Sequence, residues 1–192
     1  MSPVPIPAWT ADGVLPPIDL SRPVSPERSP YVVSLTDYVL RFGGTAARRT
    51  VLDGFLRYRG DLHRIGLVQG FQWVDGSFLE DVESIERRAP NDVDVVTFYR
   101  LPPGLSQTQL SSLAGSVLDH DSVKVTYRVD AYPVNLGMHA ERLARVSAYW
   151  YSVWSHRRNQ LWKGFVEVDL APAEDATAAA TLASLTSPGG PP

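Results

Sequence analysis

The stretch from Phe71 to Phe98 constrains the fold more than any other. It begins Phe-Gln-Trp-Val-Asp-Gly-Ser-Phe-Leu, passes through a polar connection, and ends Pro-Asn-Asp-Val-Asp-Val-Val-Thr-Phe. Both apolar runs have strand character, and both carry polar groups at one end. The first closes on Gly76-Ser77. The second opens with Asp92 and Asp94, separated only by Val93. Alternate residues of a strand share a face, so both carboxylates point the same way. Two anions on one face raise each other's pKa unless a cation sits between them. Asp is also disfavoured in strands that otherwise read as buried.

Hard divalent ions such as Mg²⁺ take carboxylate oxygens and keep positions open for water and phosphate. Glycine lets a backbone turn tightly and approach a ligand. Ser77 is a predicted N-cap, and a helix N-terminus attracts phosphate. One run can therefore serve phosphates while the other holds the metal that bridges them.

A third strand is predicted over Val123–Tyr132. There Val123, Val125, Tyr127 and Val129 alternate with Lys124, Thr126, Arg128 and Asp130. Asp130 falls on its polar face. Asp119 and Asp121, just before it, read as loop residues in Asp-His-Asp-Ser, and Asp75 reads as a turn residue or a member of the site.

Gly76-Ser77, then Asp92-Val-Asp94 on a strand, then Asp130 on a later strand resembles the core motif of the DNA polymerase β-type nucleotidyltransferase superfamily. The resemblance covers roughly Phe71 to Val134, about a third of the chain. It implies an α/β (α+β) fold with a nucleotidyltransferase-like mixed sheet flanked by helices. It implies an NTP substrate with phosphates at Gly76 and Ser77, and Mg²⁺ (or Mn²⁺) held by Asp92, Asp94 and Asp130. Asp130 would orient or deprotonate an acceptor hydroxyl on RNA, protein or a small molecule. Lys163, Arg157 or Arg158 would neutralise the leaving pyrophosphate. The chain is most similar to small bacterial members, some of which serve in toxin–antitoxin or phage-defence modules. The alternative is a non-catalytic nucleotidyltransferase-like binding or antitoxin-like module.

Composition narrows the classes. Of 192 residues, 44% are hydrophobic, enough for one core. The net charge of −3 sets up no field that would recruit nucleic acid. The absence of cysteine excludes disulfides and thiolate zinc sites. No apolar run is long enough to cross a bilayer, and the start lacks a basic-then-apolar signal pattern. A cytoplasmic protein is expected.

The predicted organisation is a Pro-rich extended arm over 1–31, one domain over 32–186 and a disordered tail over 187–192. Eight prolines between Pro3 and Pro30 argue against helix in the arm. Its apolar residues, among them Ile6, Trp9, Val14 and Leu15, suit it to lie on the domain or to form an interface with a protein partner. Ser34 and Thr45 are predicted caps for helices reaching about Arg41 and Ile65. Further helices are expected after Ser106, over Met138–Trp154 and after Pro172, with a strand over Leu161–Leu170. Arg48 and Arg49 oppose the dipole of their helix start, a local cost that hints at phosphate or an acidic partner. Trp73 reads as core. His63, His120 and His139 lack metal-ligand spacing.

Overall fold

The computed structural model describes residues 3–186. Its centre is a five-stranded mixed sheet in the order β1-β5-β2-β3-β4. The strands are β1 (Tyr31–Val32), β2 (Gly70–Asp75), β3 (Val93–Tyr99), β4 (Val129–Asn135) and β5 (Val166–Asp169). β1 runs parallel to β5 and β3 parallel to β4, while β2 is antiparallel to both its neighbours. The expected α/β class, a mixed sheet flanked by helices, is observed.

Local chemistry sets the helix ends. Ser34 accepts a hydrogen bond from the Asp37 N–H and starts α1 (Leu35–Phe42), which stops at Gly43. Thr45 accepts from Arg48 N–H and starts α2 (Ala46–Arg64). Each cap satisfies a backbone donor that the first helical turn leaves unpaired. α3 (Val82–Ile85) is a single turn within the polar connection between the two apolar runs. α4 (Gln107–Ala114) opens with a capping box made by Ser106 and Gln109. α6 (Ala140–Trp154) and α7 (Asp175–Thr186) occupy the expected helical regions, and β5 is the core of the expected strand after Leu161.

The expected strand over Val123–Tyr132 is corrected. Residues 120–127 form helix α5 (His120–Tyr127), and the strand begins only at Val129. Asp119 caps α5 by accepting from Ser122 N–H. Val123 and Tyr127, one helical turn apart, are buried, whereas Val125 is 86% exposed. The alternation of β-branched residues imitates a strand, but the cap and the i, i+4 pair win. Arg128 adopts a left-handed conformation and turns the chain into β4. α2 packs so tightly on the end of α5 that a Cβ at Gly54 would collide with the Tyr127 carbonyl.

Paired residues on adjacent strands share a face, so the register sorts the two sides of the sheet. One side carries Gln72, Val74, Val95 and Thr97. Arg59 of α2 reaches it, donating to Gln72 Oε1 at 2.7 Å and to the Asp175 carboxylate of α7. The other side carries Phe71, Trp73, Phe98 and Tyr132, covered by α6. Tyr132 and Trp150 rings lie 4.5 Å apart, and Trp154 meets Phe165, which meets Trp73. On the same helix Tyr149 and Val153 face solvent.

The Pro-rich residues lie along the domain. Val14 and Leu15 are each 1% exposed. Gly164 N–H donates to Leu15 O, Asp81 N–H to Gly13 O, and the Trp9 indole to Leu79 O. The expected tail, 187–192, lies outside the described residues.

Candidate active site

Three carboxylates line up across three strands. Asp75 ends β2, Asp94 stands opposite it on β3, and Asp130 stands opposite Asp94 on β4. Direct partners point to one face, so these three form a row along one end of the sheet. Asp92 lies immediately before β3. The structure thus brings Asp92, Asp94 and Asp130 together, and adds Asp75 as a fourth acid beside them.

Gly76 lies against this row. Its φ is +84°, and a Cβ there would collide with Asp94 Oδ2. A side chain at position 76 would therefore fill the space beside the carboxylate. Ser77 is not the N-cap that its position suggests. Gly76 takes that place, and Ser77 begins a three-residue 3₁₀ turn, Ser77–Leu79, with no side-chain cap. The glycine's left-handed backbone sets this geometry, which a cap residue in the extended region would not reach.

The row divides electrostatically. At Asp75 every acid has a basic partner. Lys163 Nζ donates to Asp75 Oδ1 at 2.9 Å and to Glu80 Oε1 at 3.0 Å, and Arg157 Nε donates to Glu80 Oε2 at 2.8 Å. All are buried or nearly so: Asp75 is 2% exposed, Lys163 5% and Glu80 6%. Burial pushes Asp75 up, to about 7, against the pull of Lys163, with the Asp94 charge adding to the rise. Lys163 was expected at the phosphates; its ammonium is instead enclosed by two carboxylates. Arg157, expected to serve the pyrophosphate, is committed to Glu80.

At the other half, three carboxylates stand near one ammonium, which bonds two of them. Lys124 Nζ of α5 lies 2.7 Å from Asp130 Oδ2 and 3.2 Å from Asp92 Oδ2. Its side chain is 45% exposed, and the two carboxylates raise its pKa. Asp94 is pushed up to about 6, first by burial and then by the charges of Asp130 and Asp92. Asp130 Oδ1 is buried without a hydrogen-bond partner. His120 Nδ1 stands 3.2 Å from it but is also 3.3 Å from the Ala131 carbonyl. The Tyr132 hydroxyl, further along the same strand, is pushed up to about 12 by burial and by Asp130.

Arg48 is committed to contacts within the domain. It is 3% exposed and forks onto Glu83 while donating to the carbonyls of Phe78 and Glu80. It thereby braces the segment that follows Gly76. Arg49 donates to the Gly43 and Gly44 carbonyls.

Mg²⁺ is the group that the resemblance implies. Among the described residues, no three His, Asp or Glu side chains stand ready to hold a metal, and Lys124 lies between two of the candidate ligands. The donor types nevertheless suit Mg²⁺: all are hard carboxylate oxygens, and one of them, Asp130 Oδ1, is buried without a hydrogen bond. Three acids against one ammonium leave two negative charges.

The profile of a family of unknown function, DUF6932, matches residues 7–169. The chain belongs to DUF6932. In this DUF6932 chain the matched span takes in the whole site, from Asp75 through Lys163. No curated protein and no solved structure matches it. Among the described residues no helix is long and apolar enough to cross a membrane.

Sequence reasoning missed Lys124, Glu80 and the position of His120. Lys124 was hidden by the strand reading of its segment. The signal for it was Asp119 with Val123 and Tyr127, a cap followed by a helical pair.

Proposed function

We propose that this DUF6932 chain is a metal-dependent nucleotidyltransferase. It would move a nucleoside monophosphate from an NTP to an acceptor hydroxyl on RNA, protein or a small molecule. The observation that supports this most is the alignment of Asp94 and Asp130 on adjacent strands, with Asp92 beside them and the Cβ-free Gly76 turn against Asp94. The parts follow one another in the order of the nucleotidyltransferase motif.

Asp92, Asp94 and Asp130 would hold Mg²⁺ or Mn²⁺. When bound, the metal would offset charge on the triphosphate and favour attack at the α-phosphorus. The residues supply the rest. The Gly76-Ser77 turn leaves room for phosphate oxygens beside Asp94. Asp130, one of whose oxygens makes no hydrogen bond and has the His120 ring 3.2 Å away, is suited to accept a hydrogen bond or proton from the acceptor hydroxyl. Burial and the charges of Asp130 and Asp92 push Asp94 up, and the nearby Lys163 opposes part of that rise. A cytoplasmic site of action, where NTP and Mg²⁺ are at hand, belongs to the same proposal.

One observation favours the second reading, a non-catalytic binding or antitoxin-like module. Lys124 already pairs with two of the three acids, as it would in a domain that had no use for metal. The partner surface would then include the arm, where Leu20 and Val24 are 85% and 92% exposed.

The test is incubation with labelled NTPs, Mg²⁺ and cell extract, with label sought in RNA, protein and small-molecule fractions. Asp130→Asn keeps size but loses charge and basicity. It should retain most NTP binding and lower transfer by ~10²–10⁴-fold. Mg²⁺-dependent NTP binding without label in any fraction would favour the binding module. Transfer undiminished in Asp130→Asn would remove that residue from the chemistry.

A further inference from the structure

We propose that Lys124 is a built-in competitor for the metal: its ammonium holds Asp92 and Asp130 together in the metal-free protein and leaves when a divalent ion arrives. This rests on the reading of the site as a metal centre. The geometry separates Lys124 from the other lysine of the site. Lys163 is enclosed, with 7% of its side chain exposed, and is locked between Asp75 and Glu80. Lys124 is bonded to a carboxylate on one side and open to solvent on the other, with 45% of its side chain exposed.

Location makes release easy. Lys124 sits in the last turn of α5, and the left-handed Arg128 turn brings β4 back so that Asp130 meets it. Only the side chain has to move, since four rotatable bonds carry the ammonium from the carboxylates to water. An exposed ion pair of this kind is worth little and is screened by salt. A divalent ion brings twice the charge to the same oxygens. Displacement therefore needs no rearrangement of the sheet, yet the lysine lowers the apparent affinity for metal. It also offsets three converging acids when metal is scarce.

The occupied state differs from a dead site in one respect. A structural salt bridge would be lost on substitution with no gain elsewhere. A competitor, once removed, must leave a stronger metal site behind.

The experiment is Mn²⁺ titration of the full chain, without nucleotide, followed by the loss of the free-ion electron paramagnetic resonance signal. Parent, Lys124→Met and Lys124→Arg are compared, with melting temperature in EDTA and in Mn²⁺ as a second readout. Lys124→Met should bind Mn²⁺ about threefold more tightly, because the ion no longer has to displace an exposed ion pair. It should melt lower than parent in EDTA and gain more on adding Mn²⁺. Lys124→Arg, which keeps the charge, should bind as the parent does or more weakly. Equal or weaker Mn²⁺ binding by Lys124→Met, with the parent still binding, would overturn the competitor role and leave the metal reading intact. No Mn²⁺ binding by either protein would overturn both.

Discussion

Two acidic clusters share one row of the sheet, and they differ in charge balance. Around Asp75 and Glu80 there are two acids and two basic groups, Lys163 and Arg157, all largely shielded from water. Around Asp92, Asp94 and Asp130 there are three acids and Lys124, in partial contact with water. Buried charges are tolerated only when paired, so the first cluster describes what folding requires. The second exceeds that requirement. Excess like charge at the open end of a sheet is a cost to the fold, and a divalent ion of the right size would remove it.

The largest expected effect lies in the balanced cluster. Lys163→Met leaves Asp75 and Glu80 buried without their shared cation. It should lower stability by about 3–5 kcal/mol in urea unfolding, the usual result of breaking a buried pair from one side. A loss below about 1 kcal/mol would place this cluster on the same footing as an exposed one, and the contrast between the two would disappear.

The next concerns the excess cluster and has the opposite sign. Asp94 is held at about 6 in the folded chain, against an ordinary value of 3.8. Between about pH 4 and 6 the folded state therefore binds more protons than the unfolded state, and this group's contribution to stability falls as pH rises. The fall is at most on the order of 2–3 kcal/mol across that window. Asp94→Asn removes it. In EDTA, the variant should gain on the parent as pH rises from 4 to 6 and then hold a constant lead. A lead that shrinks with pH would mean that Asp94 is stabilised as an anion, which only a balanced site would do.

The smallest tests the helix that supplies the lone ammonium. Asp119→Ala removes the cap of α5 and should cost about 1 kcal/mol. Melting curves should show the same loss with and without Mn²⁺, because the cap touches neither cluster. A loss that Mn²⁺ abolishes would tie the helix start to the metal site directly.

What could be read without coordinates follows the same division. Ser34, Thr45 and Gly43 act on their own neighbours, so their helices were legible within a residue or two. Asp92 and Asp94 were legible because carboxylates at the start of an apolar strand demand a reason. The balanced cluster was not. Lys163 and Asp75 are 88 residues apart, and Arg157 and Glu80 are 77 apart. Pairing at such separations leaves no local pattern, so Lys163 looked available when it was not. Arg48 misled in the same way: its cost at a helix start is offset by Glu83, which lies in a different element. Lys124 failed for another reason. Val123, Val125 and Tyr127 favour strands by propensity, and only the capping aspartate spoke for a helix.

Two parts of the chain far apart in sequence complete each other. Tyr31 and Val32 pair with Val166 and Glu167, and the Leu15 carbonyl receives Gly164 N–H. During synthesis the arm leaves the ribosome well before Gly164 and β5. Until then Val14, Leu15 and Tyr31 have nothing to cover them, and β2 lacks a neighbour on one side. Contacts this distant in sequence are slow to form. The sheet of this chain therefore closes only once β5 has been made, long after the arm.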